Sequence, residues 1–248
     1  MVRLAGPDGR AEPGGEFSAV ILAGGRGRRM GGADKPGLVV GPGTIASSVV
    51  RAATGAGAFR IAVVGPPRPE LARLRPGPAG GLTFAREDPP GSGPVAALRC
   101  GLAALGAAGP DIIALLAGDM PFLGAAHVGA LLAALGRPAP AEAAGAVLTD
   151  DAGRPQWLAS CWRARPLAAA LAAYAGTSLR GLLGPLLPAQ VFCRPEPGEP
   201  PPWTDCDTPD DLTAARNLWH GMTAAAQPGL PGRAGREGRA SRHPAAWR

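Results

Sequence analysis

Of the 25 basic side chains in this sequence one is a lysine, and it falls as Lys35 inside the glycine-rich stretch ILAGGRGRRMGGADKP, residues 21–36. Arginine meets the need for positive charge elsewhere, so this position asks for a compact ammonium on a flexible stem rather than a planar fork. Arg26, Arg28 and Arg29 stand close before it, and so many cations repel one another unless an anion lies among them. Small residues let backbone N–H groups close on such an anion, and a nucleoside triphosphate fits the description. A solvated Arg-rich turn is the plain alternative. Two commoner glycine-rich loops fit poorly: a P-loop needs Ser or Thr after its lysine, where Pro36 stands, and the dinucleotide loop needs a third glycine where Met30 stands.

Carboxylates supply the other half of the chemistry. Asp119 directly follows the apolar run IIALLAG. A carboxylate emerging from the carboxyl end of a buried strand and stiffened by Pro121 is placed to hold Mg²⁺, although a turn or capping aspartate has the same look. Asp205 and Asp207 in TDCDTPDD are two residues apart, so in an extended segment both face the same way and could complete the metal site. Capping of the next helix is an equal use for Asp207. Asp88, after another short apolar run, could bond a ribose or base, or simply begin a turn before Pro89.

The elements that must position these residues read as an alternation. FSAVILA (17–23), RIAVVG (60–65), LTFA (82–85), DIIALLAG (111–118) and AAGAVLT (143–149) are short, apolar and bounded by Gly, Pro or Asp, as buried strands are. Between them TIASSVVRAATGAG, PVAALRCGLAALGAAG and AAHVGALLAALG have helical length and end in glycine. The order strand, helix, strand predicts a mostly parallel sheet covered on both faces, with ligands at the carboxyl ends of its strands. After residue 150 the pattern loosens into a strand over 157–162, helices over 165–174 and 178–187, and a proline-rich loop. Near the close, Thr208 is placed to cap a helix whose first position is Pro209.

Composition limits the partners. Residues 227–248 hold five arginines against one glutamate, four of the six net positive charges, which leaves the remainder nearly neutral. With one tyrosine besides, it offers neither the basic face nor the stacking platform of a nucleic-acid binder. Residues 1–16 and 221–248 read as disordered extensions, the second basic, around one domain at 17–220. Four cysteines without a C-x-x-C pair fit reduced thiols in a cytoplasm. No run is long and apolar enough for a membrane span. Tryptophans 157, 162, 203 and 219 read as core, or less simply as the lining of an acceptor pocket.

Together these residues carry a resemblance. LAGGRGRRMGGADKP resembles the signature of molybdenum cofactor guanylyltransferases of the MobA type, in the nucleotidyltransferase superfamily. EDPPGSGPVAAL, LLAGDMPFL, GRPQWLASCWR and DCDTPDDL resemble that family's later segments in its order, covering about residues 17–218. The resemblance implies a single Rossmann-like three-layer α/β/α domain that transfers GMP from GTP to the phosphate of molybdenum-molybdopterin and releases pyrophosphate. It implies backbone contacts to nucleotide from Leu22, Ala23, Gly24 and Gly25, phosphate neutralisation by Lys35 with Arg29 as a further catalytic cation, and nucleoside binding by Asp88. It implies Mg²⁺ on Asp119 with Asp205 or Asp207, and transient contact with proteins that insert or accept the cofactor. One departure is Gly65, where family members often carry an asparagine that contacts nucleotide. A cytidylyltransferase for the same cofactor or another guanylyltransferase therefore stays open, as does a non-catalytic nucleotide-binding or assembly protein.

Overall fold

The computed structural model describes residues 17–25, 32–74, 81–106, 111–136, 143–195 and 198–225. Among the described residues the strands are β1 (Phe17–Leu22), β2 (Val39–Val40), β3 (Gly43–Thr44), β4 (Ala58–Val64), β5 (Leu82–Ala85), β6 (Ile112–Ala117), β7 (Gly145–Thr149), β8 (Pro155–Arg163) and β9 (Ala189–Phe192). The helices are α1 (Ile45–Gly55), α2 (Pro94–Leu105), α3 (Ala125–Leu135), α4 (Ala164–Ala173), α5 (Leu179–Leu183) and α6 (Pro209–Ala225). Seven strands form one sheet in the order β5-β4-β1-β6-β8-β7-β9. Every described pairing in it is parallel except those of β8, which runs antiparallel to β6 and β7. Among the described helices none is long and apolar enough to cross a membrane.

The side-chain alternation of a strand builds the three layers. In β1, Ala19 and Ile21 join a core with Val49 and Val50 of α1 and Val128 and Leu131 of α3. Val20, between them, joins the opposite core with Leu98 of α2, Leu167 of α4 and Leu182 of α5. The same switch of face repeats in β4 and β6. These central strands are apolar on both sides because both sides are covered.

Register aligns the strand tips. Leu22 lies opposite Val64 on one side and Ala117 on the other, and Val64 lies opposite Ala85. Ala23, Gly65, Arg86 and Gly118 therefore form a row along the carboxyl edge. The chain leaves β1 for β4 and β5, then returns to β6 on the far side of β1, which makes the tip of β1 a topological switch point.

A third apolar cluster sits beyond this edge. Val40, Ile45, Phe122, Cys206, Leu212 and Ala215 are buried together, with Trp219 and Met222 packed against them. It ties the β2–β3 hairpin and α6 to the turn after β6. Met222 and the alanines near it carry α6 on to Ala225, past residue 220 where the sequence pattern ends the domain. The two extensions read as disordered are otherwise outside the described residues.

Candidate active site

Two glycines let the strand tips meet. A Cβ on Gly65 would lie 2.6 Å from the carbonyl oxygen of Ala23, and one on Gly118 would lie 2.8 Å from the Ala23 Cβ. Neither position has room for a side chain, so an asparagine at 65 is excluded by the backbone it would meet. The Ala23 N–H donates to the Val64 carbonyl at 2.8 Å, and the Gly118 N–H donates to the Leu22 carbonyl at 2.8 Å. The backbone of Leu22 and Ala23 is thus engaged in joining strands, whereas Gly24 and Gly25 are exposed. Arg26, Arg28 and Arg29 lie outside the described residues.

Beyond the glycines one 3₁₀ turn, Lys35–Gly37, forms with Pro36 buried. The Lys35 ammonium is ion-paired to an oxygen of the Asp207 carboxylate. Asp207 precedes α6, and the sequence left its side chain a choice between this site and the helix cap. The cap is made by others: the Asp211 N–H donates to the Thr208 hydroxyl at 3.1 Å, and the Asp211 carboxylate accepts the N–H groups of Thr208 and Asp207 at 2.8 and 3.1 Å. This is a reciprocal cap with aspartate in its third position.

Cys206 is buried in the third cluster beside Phe122. Phe122 belongs to the turn that begins at Asp119, so burying Cys206 brings the flanking Asp205 and Asp207 to Asp119. The charges of Lys35, Asp119, Asp205 and Asp207 act on one another. Burial pushes the Asp119 carboxyl above the ordinary carboxylate range, Lys35 draws it back, and Asp205 and Asp207 push it up again. Asp205 is raised by burial first and then by Asp207, with Lys35 opposing. Burial and the nearby carboxylates push the Cys206 thiol up to about 11, which makes it a packing residue rather than a nucleophile.

Lys35 and the three predicted metal residues, Asp119, Asp205 and Asp207, are therefore together at the β1 and β6 tips. Among the described residues Asp119 and Asp205 enter no ion pair. No group of three His, Cys, Asp or Glu there is arranged to hold a metal ion by itself. That donor set suits Mg²⁺, which takes one or two carboxylates and completes its shell with water and substrate phosphates.

Asp88 is exposed in the loop after β5. Its neighbour Glu87, which sequence reasoning passed over, is the carboxylate that lies toward Gly24, and it accepts the Gly91 N–H at 2.9 Å. Arg68 was passed over too. It is 3% exposed and bonds the Ala23 carbonyl and the Asp34 carboxylate; as one of many arginines in a proline-rich loop it gave no signal. Trp162 is fully buried, with its Nε1 on the Ser160 hydroxyl, and Trp203 and Trp219 pack on core clusters. A cavity of about 720 Å³ between α1, α3 and α6, lined in part by Arg51, His127 and Trp219, takes in neither Lys35 nor Asp119.

Comparison with known proteins bears on the family and the fold. Residues 19–191 match the family described as the MobA-like NTP transferase domain. No curated protein matches the chain. Among solved structures, a nucleotidyl transferase from Methanothermobacter is 21% identical with a TM-score of 0.61, over 84% of this chain and 99% of that one. Molybdopterin-guanine dinucleotide biosynthesis protein A from Archaeoglobus fulgidus is 19% identical with a TM-score of 0.58, over 83% and 100%. A 4-diphosphocytidyl-2C-methyl-D-erythritol synthase from Anaerococcus prevotii is 13% identical with a TM-score of 0.58, over 84% and 99%. The likeness to these structures is one of fold; the family match spans well over half of the sequence, and the chain belongs to the MobA-like NTP transferases, a family of nucleotidyltransferases.

Proposed function

We propose that this protein transfers GMP from GTP to the terminal phosphate of a molybdopterin-type cofactor, in the cytoplasm, with release of pyrophosphate. The acceptor phosphate oxygen forms a bond to the α-phosphorus as the bond from that phosphorus to the pyrophosphate oxygen breaks. Such a transfer asks the protein for alignment and for charge where charge develops, with little covalent chemistry of its own. One observation carries the reading: the ammonium of Lys35 and the carboxylates of Asp119, Asp205 and Asp207 converge at the switch point of a doubly covered, mostly parallel sheet.

In this reading Gly24 and Gly25 let the nucleotide approach the β1 tip, and Arg29 adds positive charge beside it. Lys35 moves between Asp207 and the phosphates, which its unbranched stem allows. Asp119, with Asp205 or Asp207, would hold Mg²⁺, which when bound neutralises and orients the triphosphate. Asp88, or Glu87 beside it, is placed beyond the β5 tip for the nucleoside. Proteins that insert or accept the finished cofactor would be transient partners.

Cytidylyl transfer to the same acceptor is the second reading, and Gly65 is the observation that keeps it. Because no side chain fits at 65, the asparagine contact that members of the family often use is missing, and base choice rests on a few such bonds. Incubation with molybdopterin and either Mg-GTP or Mg-CTP, following pyrophosphate, decides between them. Release with GTP alone supports the first reading, release with CTP alone the second, and release with neither overturns both.

A further inference from the structure

We infer that Arg68 is a positioning residue that ties Ala23 to Asp34 and so sets Lys35 for the nucleotide. Its guanidinium is buried at 3% exposure, between the loop after β4 and the start of the 3₁₀ turn. Nη2 donates to the Ala23 carbonyl at 2.9 Å and to Asp34 Oδ1 at 2.5 Å, while Nη1 donates to Asp34 Oδ2 at 2.8 Å. One nitrogen thus holds residues 23 and 34 together, which are the two ends of the segment carrying Arg26, Arg28 and Arg29.

The pair is lopsided, and that points to its use. Burying a guanidinium is costly unless its hydrogen bonds are met, and Arg68 Nε has no partner among the described residues. The Asp34 side chain that it grips is 53% exposed and adds nothing to a core cluster. A buried cation reaching outward to hold an exposed loop residue serves the loop more than the core. The fit is close: a Cβ on Gly37 would lie 2.5 Å from Asp34 Oδ2 and 3.3 Å from Arg68 Nη1. A lysine could not span both acceptors, because bidentate capture needs the planar fork.

Lys35 is the next residue, and its ammonium is paired with Asp207. Residues 34 and 35 are thus anchored to two walls, one beside β4 and one at the entry to α6. Joining the loop ends removes closure entropy before any ligand arrives, and a preorganised anion site binds at lower cost.

Amide hydrogen exchange on Asp34→Asn and Arg68→Lys tests the clamp without reference to catalysis. Exchange at residues 22–25 and 32–37 should rise at least fivefold in both while peptides from β4 and β6 keep their protection; unchanged exchange there in Asp34→Asn would overturn the inference. Should Arg68→Lys fail to fold, the exposed Asp34 still gives the result. The kinetic arm rests on the nucleotidyl-transfer reading. Asp34→Asn should lower kcat/KM for Mg-GTP, or for Mg-CTP if that is the substrate, about tenfold in the wild-type background and less than twofold when Lys35 is already alanine. An equal loss in both backgrounds would show that the clamp does not act through Lys35. A wild type that uses neither nucleotide removes the transfer reading alone, since exchange still decides the clamp.

Discussion

Asp119 and Asp150 stand in like places, each just past the end of a buried strand, and the fold treats them in opposite ways. Asp150 accepts the N–H groups of Ala152 and Arg154 at 3.0 and 2.8 Å and the Arg154 Nε at 2.8 Å. The Arg154 N–H above all holds its carboxyl below the ordinary range. Asp119 is half-buried with two further carboxylates near it, and burial holds its carboxyl above that range. One aspartate is stabilised in its ionised form and closes a turn; the other is strained in that form. A carboxyl whose ionised form is disfavoured by burial and by neighbouring carboxylates marks a candidate functional site, where a turn-closing aspartate does not.

The sharpest way to break this contrast is catalytic. Asp119→Ala should reduce kcat/KM by about a thousandfold or more, whereas Asp150→Ala should leave turnover per folded molecule within about twofold. Similar losses in both would erase the distinction. Lys35→Arg comes next: steady-state assays should show roughly a tenfold to hundredfold loss with an unchanged far-UV spectrum, because the fork cannot follow a moving phosphate as the ammonium can. Activity within about twofold of wild type would remove that role.

Stability gives smaller effects of opposite sign. The folded Asp119 carboxyl titrates above its unfolded value, so folding disfavours the anion. Relative to Asp119→Asn, wild type should match at acid pH and fall behind as pH rises through the raised pKa. Asp150 titrates below its unfolded value, near 3.9. Its contribution should be full above that pH and fade as pH falls through the lowered pKa, so Asp150→Asn should melt a few degrees below wild type at neutral pH. Calorimetry on both variants between about pH 3.5 and 8 reads both slopes, and slopes of the same sign would sink the comparison.

From sequence the two aspartates are alike, LLAGD and VLTD, because a pattern shows where a strand ends but not what gathers there. The central sheet was legible for that reason: β1, β4, β5, β6 and β7 are apolar runs with clear stops, and the helices between them end at glycine or near it. Direction was less so. The β8 run reads as a strand, yet its antiparallel sense depends on which edge the chain returns to. β9 was missed because its four residues, with polar Gln190 among them and Pro188 just before, make too short and too mixed a run to stand out. The β2–β3 hairpin was missed because each strand is two residues long.

In the site, Lys35 was legible by its rarity and Asp119 by its place. The second carboxylate was legible only as a pair, since the choice for Asp207 depended on Asp211 taking the cap. Arg68 was hidden because burial of an arginine leaves no trace in composition or period.

The claim beneath all of this is that Lys35 and Asp119 act on one ligand. A cycle of Lys35→Ala, Asp119→Ala and the double variant, read as kcat/KM for pyrophosphate release, tests it most directly. Groups that act as a unit are strongly non-additive, so the double variant should lose little more than the worse single one. Losses that simply multiply would contradict the account.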